Sequence, residues 1–356
     1  MIDIFYPYVP EDAKRDMTKT LATRWIGQGP KVEEFEHKFK LQFNQKYPVS
    51  VNSGTAALDT AYELAEIERG DKVITTPLTC TATNIGLLHR GAHLIWADIN
   101  PFTLCMDVKD VLKKINDDVK AVVNVHLGGI ANYIAAAIPP PTVVISDSCQ
   151  ALGVFDGDFT CNSFQAIKHI TTGDGGMLCC PDEKTYRTAK LMRWFGIDRE
   201  KKIANNWHAY KERAMTFDIE IPGYKRQMTD IAATLGIAGL RHYDHVINYR
   251  KELFLLYAKN LSGLDGLRIV AGPYNTYWLF TVIVERRDDF ARMLFDAGVD
   301  TNVVQLRNDI YKIFGGKRQD LPVMNELEFK YISLPLHMKV TKEDVNFICR
   351  KIRQGW

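Results

Sequence analysis

The chain has 356 residues, 46% of them hydrophobic and 25% charged, with a formal net charge of +2. That length suggests two domains, or one large domain with an appendage, and the composition is that of an ordinary soluble protein. The small net charge leaves no footprint for nucleic acid or an anionic membrane, no apolar run approaches the ~20 residues of a membrane helix, and the start, Met1-Ile2-Asp3-Ile4-Phe5-Tyr6, lacks the basic residues and apolar core of a secretion signal.

In chain order, the first 30 residues read as an extended arm and a short helix, closing on Gly27-Gln28-Gly29-Pro30. A helix is expected over 32–43, with Phe35, Phe39 and Phe43 stepping by four. Residues 53–67 predict a second helix, with Ala57, Leu58, Ala61, Leu64 and Ala65 on one face. Residues 72–76 read as a short strand and 81–90 as a helix. Strands are expected over 93–98, 121–125 and 142–145, bounded by Gly, Pro or Asp. This alternation implies an α/β fold with a mostly parallel sheet flanked by helices. Ligands in such sheets bind at the carboxyl ends of the strands. Cys179-Cys180 lie inside a strand-like run. The seven cysteines are scattered, with no Cys-x-x-Cys pair, so they read as reduced thiols of a cytoplasmic protein; neither a disulfide framework nor a metal site is expected. The longest basic cluster, residues 199–202, includes Glu200 and reads as a solvated face. From Met228 the pattern is helical through Leu261. A smaller C-terminal α+β part follows, with a strand over 278–285 and a closing helix over 342–356. The expected division is 1–240 for the large domain with its arm and 241–356 for the small domain.

Two charged residues carry the chemistry. Lys168 stands between an apolar stretch and a glycine-rich turn, Ser163-Phe164-Gln165-Ala166-Ile167-Lys168-His169-Ile170-Thr171-Thr172-Gly173-Asp174-Gly175-Gly176. Asp147 ends the apolar run Thr142-Val143-Val144-Ile145-Ser146, 21 positions upstream. A lysine and a strand-end aspartate are what pyridoxal 5′-phosphate (PLP) needs: the lysine attaches it, and the aspartate keeps the pyridine nitrogen protonated. Such a lysine must be partly desolvated for its amine to act as a nucleophile. Asn52-Ser53-Gly54-Thr55-Ala56-Ala57 opens a helix whose first N–H groups can bind a phosphate; read alone, Ser53 could equally be a plain N-cap. Read alone, Asp147 could be a cap or turn residue. Gln150 falls within reach of a ring held by Asp147, and the Ser163 hydroxyl could donate to the phosphate.

These stretches, together with Gly70-Asp71-Lys72-Val73-Ile74, Asp147-Ser148-Cys149-Gln150-Ala151-Leu152-Gly153, Gly223-Tyr224, Met228-Thr229-Asp230 and Ile332-Ser333-Leu334-Pro335-Leu336-His337, resemble the DegT/DnrJ/EryC1/StrS family of PLP-dependent sugar aminotransferases over almost the whole chain. The resemblance implies a fold type I homodimer with shared active sites. It implies transfer of an amino group, usually from glutamate, to a nucleotide-linked keto-deoxysugar, with the pyridoxamine form of the cofactor (PMP) as intermediate. It makes Lys168 the cofactor lysine and proton shuttle and Asp147 the partner of the pyridine nitrogen. Gly54, Thr55 and Ser163 become phosphate ligands, and Gln150 lies against the ring.

The chain departs from that pattern in places. Cys80 stands where the family often stacks an aromatic side chain on the cofactor. Lys225 replaces the asparagine of the family's Gly-Tyr-Asn stretch, which reaches the partner subunit's phosphate; a lysine can meet that phosphate as a point charge. The connection over 129–141 and the turn over 154–158 are short. His126, at a strand end, has either a substrate role or a structural hydrogen bond. Arg307, in Arg307-Asn308-Asp309, either contacts a nucleotide phosphate or the cofactor region, or forms a surface turn. His169 reads as a packed neighbour of Lys168, and Arg193-Trp194-Phe195-Gly196 as packing near the dimer interface. The alternatives are a PLP-dependent sugar dehydratase of the same fold, against which the presence of Lys168 counts, and a non-catalytic regulatory or binding member.

Overall fold

The structure is a computed structural model that describes residues 1–199 and 218–356; residues 200–202 of the basic cluster lie outside the described residues. Its centre is a seven-stranded sheet built from β1 (Pro48–Val51), β2 (Lys72–Thr75), β3 (His93–Trp96), β4 (Val119–Val125), β5 (Val143–Asp147), β6 (Phe159–Ser163) and β7 (Gly176–Cys179), in the order β1-β7-β6-β5-β4-β2-β3. The run from β3 to β6 is parallel, and β7 is antiparallel to both β6 and β1. Because the run is parallel, the carboxyl ends of β2, β4, β5 and β6 collect on one edge. In register there, Asp147 is flanked by Val125 and Cys161.

Helices cover both faces. α1 (Glu11–Leu21) and α2 (Pro30–Phe43) precede the sheet. Asp230 fastens the start of α2, because its buried carboxylate accepts from the N–H groups of Gly29 (2.7 Å), Lys31 (3.1 Å) and Val32 (3.1 Å). Those are the orphan donors that every helix start leaves. α3 (Gly54–Leu64) is capped by Ser53 Oγ, which accepts from Ala56 N–H at 3.0 Å, and it buries Ala57, Leu58 and Ala61 against β4, β5 and β6. It ends before the expected residue 67, where Glu66 takes a positive φ of 53°. α4 (Thr81–His89), α5 (Val108–Lys114) and α6 (Glu183–Met192) complete the layer. In the short connection over 129–141, a single 3-10 turn at Ala135–Ala137 stands in place of a full helix.

The helical pattern from Met228 to Leu261 is two helices, α7 (Asp230–Arg241) and α8 (Tyr243–Leu261), broken at His242. The break separates two sets of partners. α7 buries Ala233, Ile237 and Leu240 with Phe35, Phe39 and Phe164. α8 buries Leu253, Phe254, Tyr257 and Leu261 against a second, antiparallel sheet of β8 (Leu267–Ile269), β9 (Phe280–Val284) and β10 (Tyr331–Leu334). Helices α9 (Arg287–Asp296), α10 (Pro322–Leu327) and α11 (Lys342–Arg353) belong to this part. The first residues of the chain, expected with the large domain, run beside the small sheet. Ile2 pairs with Val299, and Ile2 N–H donates to Gly298 O at 2.8 Å. Among the described residues no helix is long and apolar enough to cross a membrane.

Candidate functional site

The loops at the carboxyl ends of the parallel strands bring most of the expected residues together. Asp147 ends β5 and is buried. Its two oxygens are used separately: Cys149 N–H donates to Oδ1 at 3.0 Å, and Thr83 Oγ1 donates to Oδ2 at 2.7 Å. Thr83 in turn lies 2.9 Å from the Thr79 hydroxyl one helical turn earlier. A carboxylate held by two donors has its remaining lone pairs fixed in direction.

Beside it is the start of α3. The Gly54 and Thr55 N–H groups precede the first intrahelical bond and are free to meet an anion. A Cβ on Gly54 would lie 2.8 Å from both Cys149 Sγ and Ser163 Cβ, so only glycine lets the turn sit on the ends of β5 and β6. Ser163, the last residue of β6, has its hydroxyl 3.2 Å from that position.

Lys168 rises from the loop between β6 and β7. Its amine lies 3.9 Å from the centroid of the Trp278 ring. Burial holds the amine below the usual lysine range, and the neighbouring Cys149, Asp147 and Cys80 partly offset that. Those three groups therefore face it from the end of β5 and from the N-cap of α4. Cys80 is exposed in that cap position. Gln150 is buried and accepts from Gly128 N–H at 2.9 Å, which ties it to the loop after β4.

These residues fit PLP on the structure's own terms. There is a desolvated amine, a fixed carboxylate at a strand end, and a helix start that a side chain on Gly54 would fill. Gly128 and Leu279, the neighbour of Trp278, also line a pocket between the two sheets, with Leu78, Leu127, Gln305 and Ser333.

The other candidates are placed differently. Arg307 is 1% exposed and its charge is already met: Nε and Nη2 hold the two Asp309 oxygens at 2.7 and 2.6 Å, and Nη1 reaches Glu328 at 3.2 Å. A guanidinium so engaged has no fork left for a substrate phosphate. The expected contact is corrected to an internal ion cluster, and the surface turn is excluded by the burial. Its neighbour Asn308 acts on the site indirectly, donating to Thr79 O at 2.8 Å and accepting from Asn84 Nδ2 at 2.8 Å.

His126 is fully buried. Its Nδ1 accepts from Asn132 N–H at 3.0 Å, Nε2 has no partner among the described residues, and burial pushes its pKa down to about 3. His169 is also neutral by burial, at about 3, and gives Nε2–H to Thr276 O at 2.7 Å, as a packed neighbour would. Lys225 is exposed, and its carbonyl accepts from Asn52 Nδ2 at 3.4 Å beside the entry to α3. Arg193 is buried in an ion pair with Glu36.

Sequence reasoning missed Thr83 and Trp278. Thr79 precedes the cap of α4 and Thr83 lies in its first turn, and their hydroxyls meet at 2.9 Å, a contact that spacing alone does not announce. Trp278 carried no signal beyond opening an expected strand.

The DegT/DnrJ/EryC1/StrS aminotransferase family matches this chain over residues 7–353. The GDP-perosamine synthase of Escherichia coli O157:H7 is 28% identical over 99% of this chain and 98% of its own length. Among solved structures, the sugar aminotransferase CalS13 of Micromonospora echinospora superposes with a TM-score of 0.90 at 28% identity, covering 100% of both chains. Spr1654 of Streptococcus pneumoniae, solved in forms named for PLP and for PMP, is 26% identical over 99% of this chain, with TM-scores of 0.87 and 0.88 and 97% and 98% of its own chains covered.

Proposed function

The chain belongs to the DegT/DnrJ/EryC1/StrS aminotransferase family, and from that premise we propose that it uses PLP to move an amino group from an amino acid, glutamate in the first instance, to a nucleotide-linked keto-deoxysugar. The product is an amino sugar for a surface polysaccharide or glycoconjugate. The observation that carries this reading is the convergence of Lys168, Asp147 and the Gly54 turn at the carboxyl edge of one parallel sheet.

Bound PLP supplies an electron sink for negative charge developing on the carbon next to the transferred nitrogen. The chain's own groups do the rest. The Gly54 and Thr55 N–H groups and the Ser163 hydroxyl hold the phosphate, where the helix start favours an anion. Asp147 accepts the pyridine N–H and keeps that nitrogen protonated. Lys168 is the attachment point and, once free, moves the proton at the reacting carbon. Burial favours its neutral form, which a general base requires. Cys80, at the cap of α4, would face one side of a bound ring, and Gln150 would lie against it. His126, whose Nε2 has no partner among the described residues, is a candidate contact on the substrate side. Two subunits share the sites, and Lys225 of one meets the phosphate held by the other.

Borohydride reduction of the PLP-loaded protein, followed by peptide mapping, tests the centre of this reading. The pyridoxyl group is expected on Lys168; label elsewhere, or none at full loading, removes it. A panel of nucleotide-linked keto sugars with glutamate, read by mass spectrometry, then identifies the acceptor. Mixing Lys168→Ala with Lys225→Ala subunits tests the shared site. Activity regained in the mixture supports it, and a mixture as inactive as its parents rejects it.

A further inference from the structure

Trp278 touches the Lys168 segment at two independent points. Its ring lies under the amine, with Lys168 Nζ 3.9 Å from the ring centroid, and its Nε1–H donates to the carbonyl of Ile167 at 3.1 Å, one residue before Lys168. Trp278 is itself held from two other directions, one at its ring and one at its backbone. Phe5 of the N-terminal arm stacks on it, with centroids 5.8 Å apart and planes at 23°. Arg250 on α8 donates to the Trp278 carbonyl at 3.1 Å and to Leu336 O at 2.8 Å. A buried ring stacked on Phe5 and fixed through its own backbone does not follow the lysine; the lysine comes to it.

We propose that Trp278 is a positioning residue for Lys168: its ring face is the seat on which the amine rests whenever it is free, and its Nε1–H fixes the backbone from which that amine reaches the site. The inference rests on the reading of Lys168 as the cofactor lysine. An amine that is released and re-engaged in every turnover needs a place to wait. A carboxylate there would hold its proton firmly, whereas the face of an indole attracts the ammonium through its quadrupole and lets it go at modest cost.

The other groups facing the amine are Asp147 and Cys149 from the end of β5 and Cys80 from the cap of α4. On its own segment, His169 is engaged with Thr276 O and is neutral. Phe5 and Trp278 come from the arm and the small-sheet part, so the seat also ties those elements to a lysine carried by the large sheet.

The test uses the full-length protein freed of cofactor. Acetic anhydride labelling of Lys168, resolved by peptide mass spectrometry across pH, gives the midpoint of its titration. In Trp278→Leu the midpoint is expected to fall by about one pH unit, since the ammonium loses its ring; Trp278→Phe should fall less. If Trp278→Leu does not fold, fluorinated tryptophans placed at position 278 keep the shape and weaken the ring face stepwise, and the midpoint should fall with each added fluorine. An unchanged midpoint across the leucine variant or the fluorine series overturns the proposal. Borohydride labelling run in parallel separates the two claims: a flat series with Lys168 still marked removes only the seat, while failure to mark Lys168 removes the aminotransferase reading.

Discussion

Thr83 Oγ1 donates to Asp147 Oδ2 at 2.7 Å, joining the first turn of α4 to the end of β5 across the intervening β4. The bond is buried and comes from a hydroxyl that also lies 2.9 Å from the Thr79 hydroxyl. Thr83→Val keeps the shape and removes the hydroxyl, leaving a buried oxygen without its donor at a cost of about 1–3 kcal/mol. Urea unfolding should report that loss, and PLP titration should show a cofactor affinity lowered roughly tenfold, the equivalent of ~1.4 kcal/mol. Thr83→Ser should recover most of both. Equal cofactor affinity in the valine and wild-type proteins would show that the bond does not orient the carboxylate.

Gly54→Ala should disturb the candidate phosphate site directly. The added carbon meets Cys149 Sγ and Ser163 Cβ at 2.8 Å, and both neighbours are fixed to strand ends. Overpacking of this kind costs about 1–3 kcal/mol. The start of α3 must also shift, which moves the phosphate donors. Loss of PLP loading with a moderate drop in Tm is expected, and a double change with Cys149→Gly should recover part of it. Normal loading in Gly54→Ala would place the phosphate elsewhere.

Two of the buried histidines, His126 and His169, make stability depend on pH most strongly. His126 and His169 are pushed by burial from about 6.5 in the unfolded chain to about 3. Within that window the unfolded state binds more protons than the folded one. Their contribution is therefore present above about pH 6.5 and lost as the pH falls toward 3, at up to ~1.4 kcal/mol per pH unit for each ring. His169→Gln keeps a donor for Thr276 O and removes one titrating ring. Urea unfolding between pH 4 and 6 should show a shallower slope for that variant, by about the contribution of one ring. An unchanged slope would mean that His169 is already protonated in the fold.

Arg307→Met separates an internal ion cluster from a substrate contact. Removing the guanidinium leaves Asp309, which is 0% exposed, without its counter-charge, a loss of about 3–5 kcal/mol. Stability should drop by that order while the KM for a nucleotide sugar changes little in the folded fraction. A large rise in KM at unchanged Tm would return Arg307 to the substrate site.

The sequence by itself determined the parts that are local or periodic. Phe35 and Phe39 announce the buried stripe of α2. The glycine and hydroxyl residues at 53–55 announce a helix start, and the alternation of apolar runs with helices announces a parallel sheet. Lys168 stood out in the sequence as a lysine between an apolar stretch and a glycine turn, whereas Asp147 stood out only beside it, since a strand-end aspartate alone reads as a cap or turn residue. The antiparallel β7 and β1 beside a parallel run were not legible, since strand order depends on pairings between residues more than a hundred positions apart, as in Val51 with Gly176. Nor was the break at His242, where one helical pattern serves two cores.

Only the tertiary structure decided the fate of the side chains whose meaning depends on what they meet. Arg307 reads as a free cation until Asp309 and Glu328 close on it, and Trp278 reads as an ordinary strand residue until the Lys168 loop is laid across its face. Charge and aromaticity are properties of a residue. Whether they are spent inside the protein or presented to a ligand is a property of distance, and distance is set by packing.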